Sequence, residues 1–143
     1  MIDGVLYADE SYQIIGAAMA VHRFLGKGFV EGVYGDCLEL EFKKRQIPYE
    51  REKEMHILYH DVMINHTYRP DFVCYGKIIV ELKAVSGVTP DYEAQTINYL
   101  RVSGMSLGLL INFGEEYLIG ERWAYDEINN ICYIVDKNMQ RLL

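Results

Sequence analysis

The chain has 143 residues, half of them hydrophobic and 24% charged, which suits one folded domain spanning 1–143 and excludes a disordered chain. A net charge of −7 argues against a free-standing protein that grips nucleic-acid phosphates through a basic face. No apolar run approaches the ~20 residues of a membrane span, and the start, Met1-Ile2-Asp3-Gly4, lacks a basic stretch ahead of an apolar one, so neither a membrane nor a secretory destination is expected.

Three widely spaced cysteines, Cys37, Cys74 and Cys132, fit a reducing cytoplasm and no zinc site. In chain order, Ile14, Ile15, Ala18, Met19, His22 and Leu25 recur at helical spacing and predict a helix from about Asp9 to Leu25. Asp9 or Ser11 is the expected cap, and Gly26 or Gly28 the stop. A second helix is expected from Glu31 to Arg45, with Val33, Cys37, Leu38, Leu40 and Phe42 apolar. Lys43-Lys44-Arg45 suits the negative end of its dipole, and Pro48 blocks its continuation. Between the helices runs Gly28-Phe29-Val30-Glu31-Gly32-Val33-Tyr34. Glu31 opens the second helix, where a carboxylate either suits the dipole or serves as a ligand if the helix crosses the face of the acidic site.

Strands follow at Glu54–Tyr59 and Val62–Tyr68, around a His60-Asp61 turn. Next comes Arg69-Pro70-Asp71, Phe72-Val73-Cys74-Tyr75, a Gly76-Lys77 turn, and Ile78-Ile79-Val80-Glu81-Leu82-Lys83. Pairing residue 72 with 80 and 74 with 78 gathers Phe72, Cys74, Ile78, Val80, Leu82 and Ala84 on one face. The neighbouring register mixes the faces, so burial selects the first. In that register Asp71 stands opposite Glu81, with Lys83 two residues on. Two carboxylates and a lysine on one side of a sheet suit a divalent cation, Mg²⁺ or Mn²⁺, and phosphodiester hydrolysis. A solvated Glu-x-Lys face is the plain alternative.

Thr89-Pro90-Asp91 starts a third helix, with Thr89 as cap and Pro90 at its first position, running to about Val102 and stopping at Gly104. Gln95 and Tyr99 share one face of it and could hydrogen-bond a phosphate or hold the lysine. Tyr99 could equally be a half-buried aromatic with a wet hydroxyl. Ser106–Phe113 reads as a central strand covered on both sides, parallel to the strand of Glu81. Gly114-Glu115-Glu116 turns into a strand at Tyr117–Trp123, and Ile131–Val135 adds an edge. The order predicts an α/β fold with a mixed sheet flanked by helices.

The spacing of Gly28, Glu31 and Tyr34 resembles the pattern that names the GxxExxY protein family. Pro70-Asp71 with Glu81-Leu82-Lys83 resembles the signature of the PD-(D/E)xK nuclease superfamily, and Gln95 with Tyr99 the Gln-xxx-Tyr helix of its recombination-exonuclease branch. The resemblance covers about residues 10 to 125. It implies a restriction-endonuclease-like α/β/α core and a metal-dependent nuclease acting on nucleic acid, DNA ahead of RNA. It further implies Asp71, Glu81, Glu31 and the Leu82 carbonyl as contacts of the Mg²⁺ or Mn²⁺. Lys83 would meet transition-state charge or position the attacking water, and Gln95 and Tyr99 would support the phosphate or Lys83. A homodimer or a protein partner is compatible with it. The alternative is a non-catalytic binding or regulatory module that keeps the nuclease fold.

The histidines make no better site. His56 and His60 fall on a strand and a turn, His22 packs on its helix, and His66 is the one that could approach Asp71.

Overall fold

The computed structural model describes residues 7–142, so the Met1-Ile2-Asp3-Gly4 stretch lies outside the described residues. The elements are α1 (Ala8–Leu25), α2 (Glu31–Arg45), β1 (Tyr49–Arg51), β2 (Met55–Tyr59), β3 (Val62–Tyr68), β4 (Phe72–Cys74) and β5 (Ile78–Lys83). They continue with α3 (Pro90–Ser103), β6 (Leu107–Asn112), β7 (Ile119–Asp126) and β8 (Ile131–Val135). No helix among the described residues is long and apolar enough to cross a membrane.

Six strands form one mixed sheet in the order β1-β4-β5-β6-β7-β8. β5 and β6 run parallel, joined through α3, and their other neighbours pair antiparallel. The architecture is α/β, of restriction-endonuclease-like type, with helices on both faces. On one face Ile14, Ala18 and Val21 of α1 and Tyr34, Leu38 and Phe42 of α2 join Phe72, Val80, Leu82, Leu109 and Ile111 in a single core. On the other face α3 buries Thr96 and Leu100 over the sheet. β6 is buried at every residue, as a strand covered on both sides must be. Gly108 lets α3 approach, since a Cβ there would meet Thr96 Cγ2 at 3.0 Å.

Several expectations are corrected. α1 is entered through Tyr7 in the left-handed region (φ 50°) with no side-chain cap, and Asp9 and Glu10 lie in its first turn. Thr89 does occupy the cap position of α3, but its carbonyl rather than its side chain receives the first N–H groups, from Tyr92 and Glu93. β7 begins two residues later than Tyr117, which is 78% exposed in the preceding loop. Leu40 and Met19, expected to pack, face solvent. β2 and β3 do not extend the main sheet but form a two-stranded sheet of their own. The edge beside β4 is taken by β1, a strand the pattern did not reveal, pairing Tyr49 with Cys74 and Arg51 with Phe72. Glu52, in the left-handed region (φ 52°), follows it, and its N–H donates to the Asp71 carbonyl at 3.0 Å.

Candidate active site

The β4–β5 hairpin has the expected register, Phe72 against Val80 and Cys74 against Ile78. Tyr75 and Gly76 make its turn with positive φ, the conformation a tight reversal requires. Beyond the last ladder pair, side chains replace the backbone rungs. The Asp71 N–H donates to Glu81 Oε2 at 2.7 Å, and the Leu82 N–H donates to Asp71 Oδ2 at 2.7 Å. Each carboxylate therefore holds the other's strand, and the two are interlocked.

Glu81 is only 4% exposed. Burial, and then the charge of Asp71, push its carboxyl up to about 9, against the opposing pull of the Asp71 N–H and of Lys83. A carboxylate in so dry a place, facing a second one, is kept neutral by a proton or offset by a cation.

Lys83 follows on β5, on the sheet side that α3 covers. Its Nζ donates to Gln95 Oε1 at 3.2 Å, and Gln95 Nε2 donates to the Tyr99 hydroxyl at 3.1 Å. The amine also lies 4.9 Å from the ring centre of Tyr92, a cation–π contact. Tyr99 in turn stacks on Tyr68, with centroids 4.5 Å apart. Residues 92, 95 and 99 lie three and four apart on α3, so one helix face presents all three. Tyr92 was not singled out from the sequence, although that spacing was available to find it.

Glu31 arrives differently from the condition placed on it. α2 packs on the Phe72–Leu82 face, opposite the one where α3 meets Lys83. From the N-terminus of α2, Glu31 nevertheless shares a cleft of ≈ 190 Å³ with Asp71, Leu82, Arg51 and Glu52, which Glu81 does not line. Its carboxyl is raised, first by loss of solvent and then by Asp71, with Lys83 opposing. Gly28 and Tyr34 serve the approach to this helix. Gly28 has φ 114°, and the Tyr34 hydroxyl donates to the Gly26 carbonyl at 2.5 Å while accepting the Phe29 N–H at 3.3 Å.

Asn112 was also missed. It is fully buried and directly opposite Lys83 in the parallel β5–β6 pair. The available signal was a polar residue ending an otherwise apolar central strand. His66 lies exposed on β3, and His22 is occupied elsewhere, its Nε2 2.9 Å from the Glu115 carbonyl.

Asp71 shares its cleft with Glu31 and its interlocking hydrogen bonds with Glu81, so hard carboxylate oxygens, the donor chemistry of a divalent cation, meet at Asp71 from two sides. Relief of the pressure on Glu81 gives such an ion an electrostatic reason to bind. Among the described residues, no three His, Cys, Asp or Glu side chains are already gathered as a metal cluster.

A protein-family model described as the PD-(D/E)XK nuclease superfamily matches residues 8–122, a span that holds every residue named in this site. No curated protein and no solved structure gives a significant match.

Proposed function

Since the chain belongs to the PD-(D/E)XK nuclease superfamily, we propose that it is a metal-dependent nuclease, one domain over 1–143, hydrolysing phosphodiester bonds of nucleic acid, DNA ahead of RNA. The observation that carries this reading is the interlocked Asp71–Glu81 pair with Lys83 held beside it by Gln95. The spacing of Gly28, Glu31 and Tyr34 supports placing it in the GxxExxY branch. Its free thiols support a cytoplasmic setting.

Asp71, Glu81 and Glu31, with the Leu82 carbonyl, would hold Mg²⁺ or Mn²⁺. Such an ion supplies Lewis-acid charge and lowers the pKa of water. Lys83 places fixed positive charge where the attacked phosphate gains negative charge, an effect worth about 10² to 10³ in rate when preorganised. Gln95 and the Tyr92 ring keep the amine from wandering, and Tyr99, braced on Tyr68, keeps Gln95 in place. With a net charge of −7, grip on a long polyanion falls to a protein partner that brings the positive charge.

One observation favours the rival reading, a non-catalytic module. No metal cluster is assembled among the described residues, and Asp71 and Glu81 each spend an oxygen on a backbone N–H. The deciding experiment is cleavage of end-labelled single- and double-stranded DNA and RNA with Mg²⁺ or Mn²⁺, beside Glu81→Ala and Lys83→Ala. Cutting lost in both variants supports the nuclease. A folded protein that neither cuts nor binds Mn²⁺ sinks it in favour of the module.

A further inference from the structure

We propose that Asn112 is a positioning residue for Lys83: by clamping the Val85 peptide it fixes where β5 ends and the path to α3 begins, and so holds the lysine amine on Gln95 and Tyr92. The proposal rests on the nuclease reading for its catalytic consequence.

A buried carboxamide is costly unless its polar atoms are satisfied. Here all four of its hydrogen-bonding positions are used. Asn112 Oδ1 accepts the N–H groups of Val85 and Gly114, each at 3.0 Å. Nδ2 donates to the Val85 carbonyl at 2.9 Å and to Glu115 Oε2 at 2.8 Å. The amide thus grips both polar groups of Val85 and ties them to the turn that follows β6. That network also settles which end of the side chain is oxygen.

Two neighbours close the same grip. The Phe113 N–H donates to the carbonyl of Lys83 itself at 2.8 Å. Gly114 lies so close that a Cβ there would strike the Val85 N and O and the Ala84 carbonyl carbon. The turn after β6 therefore touches the exit from β5 backbone to backbone, with no room for a side chain between them.

What this grip positions follows from chain order. Lys83 lies two residues before Val85. α3 begins at Pro90 and brings Tyr92 and Gln95 back over the sheet. A lysine side chain is a flexible four-carbon stem with a point charge at its tip. It meets fixed partners on α3 only if its own backbone and the start of that helix are both placed. The Val85 peptide lies between them, and Asn112 holds it from the neighbouring strand.

The test uses Asn112→Asp, which keeps the size of the side chain but turns the donor facing the Val85 carbonyl and the Glu115 carboxylate into an acceptor. With a DNA substrate and Mn²⁺, kcat is expected to fall about 10²-fold while KM stays within about twofold, as for a misplaced catalytic group. In a Lys83→Ala background the same change is expected to add less than about twofold, because the group it acts through is gone. An equal fractional loss in both backgrounds overturns the proposal.

A second readout needs no catalysis. Acetylation of Lys83, followed by mass spectrometry, is expected to run about tenfold faster in Asn112→Asp than in the wild type once the amine is released from its partners; an unchanged rate overturns the proposal. A wild type that neither cuts nor binds Mn²⁺ sinks the nuclease reading alone, and whenever the wild type does not cut, Asn112 is judged on lysine reactivity. If Asn112→Asp does not fold, Asn112→Ser, which removes the amide clamp without adding a buried charge, is read by the same criteria.

Discussion

Replacing Glu81 by glutamine separates charge from shape at a buried point of the site. The amide keeps an oxygen for the Asp71 N–H, which Glu81 now accepts at 2.7 Å. In the unfolded chain the carboxyl titrates near 4.5, and in the folded protein burial and Asp71 raise it to about 9. Between those values the folded protein keeps a proton that the unfolded chain has released, so this group makes stability fall as pH rises. At pH 7 about 2.5 units of that window have been crossed, at about 1.4 kcal/mol each, or about 3 kcal/mol. Without divalent cations, Glu81→Gln is therefore expected to be about as stable as the wild type near pH 4.5 and about 3 kcal/mol more stable at pH 7. Urea denaturation across that range in EDTA measures the difference. A gap that stays constant with pH, or a variant less stable at pH 7, would refute the assignment of Glu81 as a strained buried carboxyl. Saturating Mn²⁺ is expected to close the gap by stabilising only the wild type.

Other substitutions probe neighbouring parts. Mn²⁺ at about 100 times its Kd is expected to stabilise the wild type by about 2.7 kcal/mol; a thermal shift retained in Asp71→Asn would remove Asp71 from the ligand set. Lys83→Ala is expected to lower kcat about 10²- to 10³-fold with Mn²⁺ affinity unchanged by calorimetry, and a loss of metal affinity instead would reassign the lysine. Tyr34→Phe gives up the bonds to Gly26 and Phe29 and should cost about 1–2 kcal/mol in urea denaturation; a neutral result would mean that the hydroxyl does not hold the approach to α2. Phe42, fully buried against Phe72 with ring centres 5.1 Å apart, should cost about 3–5 kcal/mol when cut to alanine.

The hairpin carrying Asp71 and Glu81 was legible because alternation and register are the same information: only one pairing buries Phe72, Val80 and Leu82 together. The parallel β5–β6 pair was legible too, because a strand, a helix and an apolar strand leave few other connections. β1 was not, since three residues, Tyr49 to Arg51, are too few to show a period. Its absence from the reading also hid where the β2–β3 hairpin goes, because local pattern says that two strands pair but not which sheet edge is already taken. Glu31 was found by its place at a helix start, yet the face on which α2 packs had to come from the core, where Tyr34, Leu38 and Phe42 meet Leu82. Asn112 left a trace as a polar residue in an apolar run, but its partner Val85 lies 27 residues away, beyond any local pattern.

The interlocked carboxylates and the supported lysine differ in how far apart in the chain their parts lie, and this has a consequence for folding. Asp71 and Glu81 are ten residues apart, within reach of a hairpin that closes on the ~1–10 µs scale. The hold on Val85 spans 27 residues and exists only after α3 has crossed over and β6 has slotted in beside β5, a long-range pairing of the kind that slows folding. The acidic half of the site can therefore form while its lysine is still free. Divalent cations present during refolding would meet the carboxylates first, so that they accelerate or trap early species before the crossover closes.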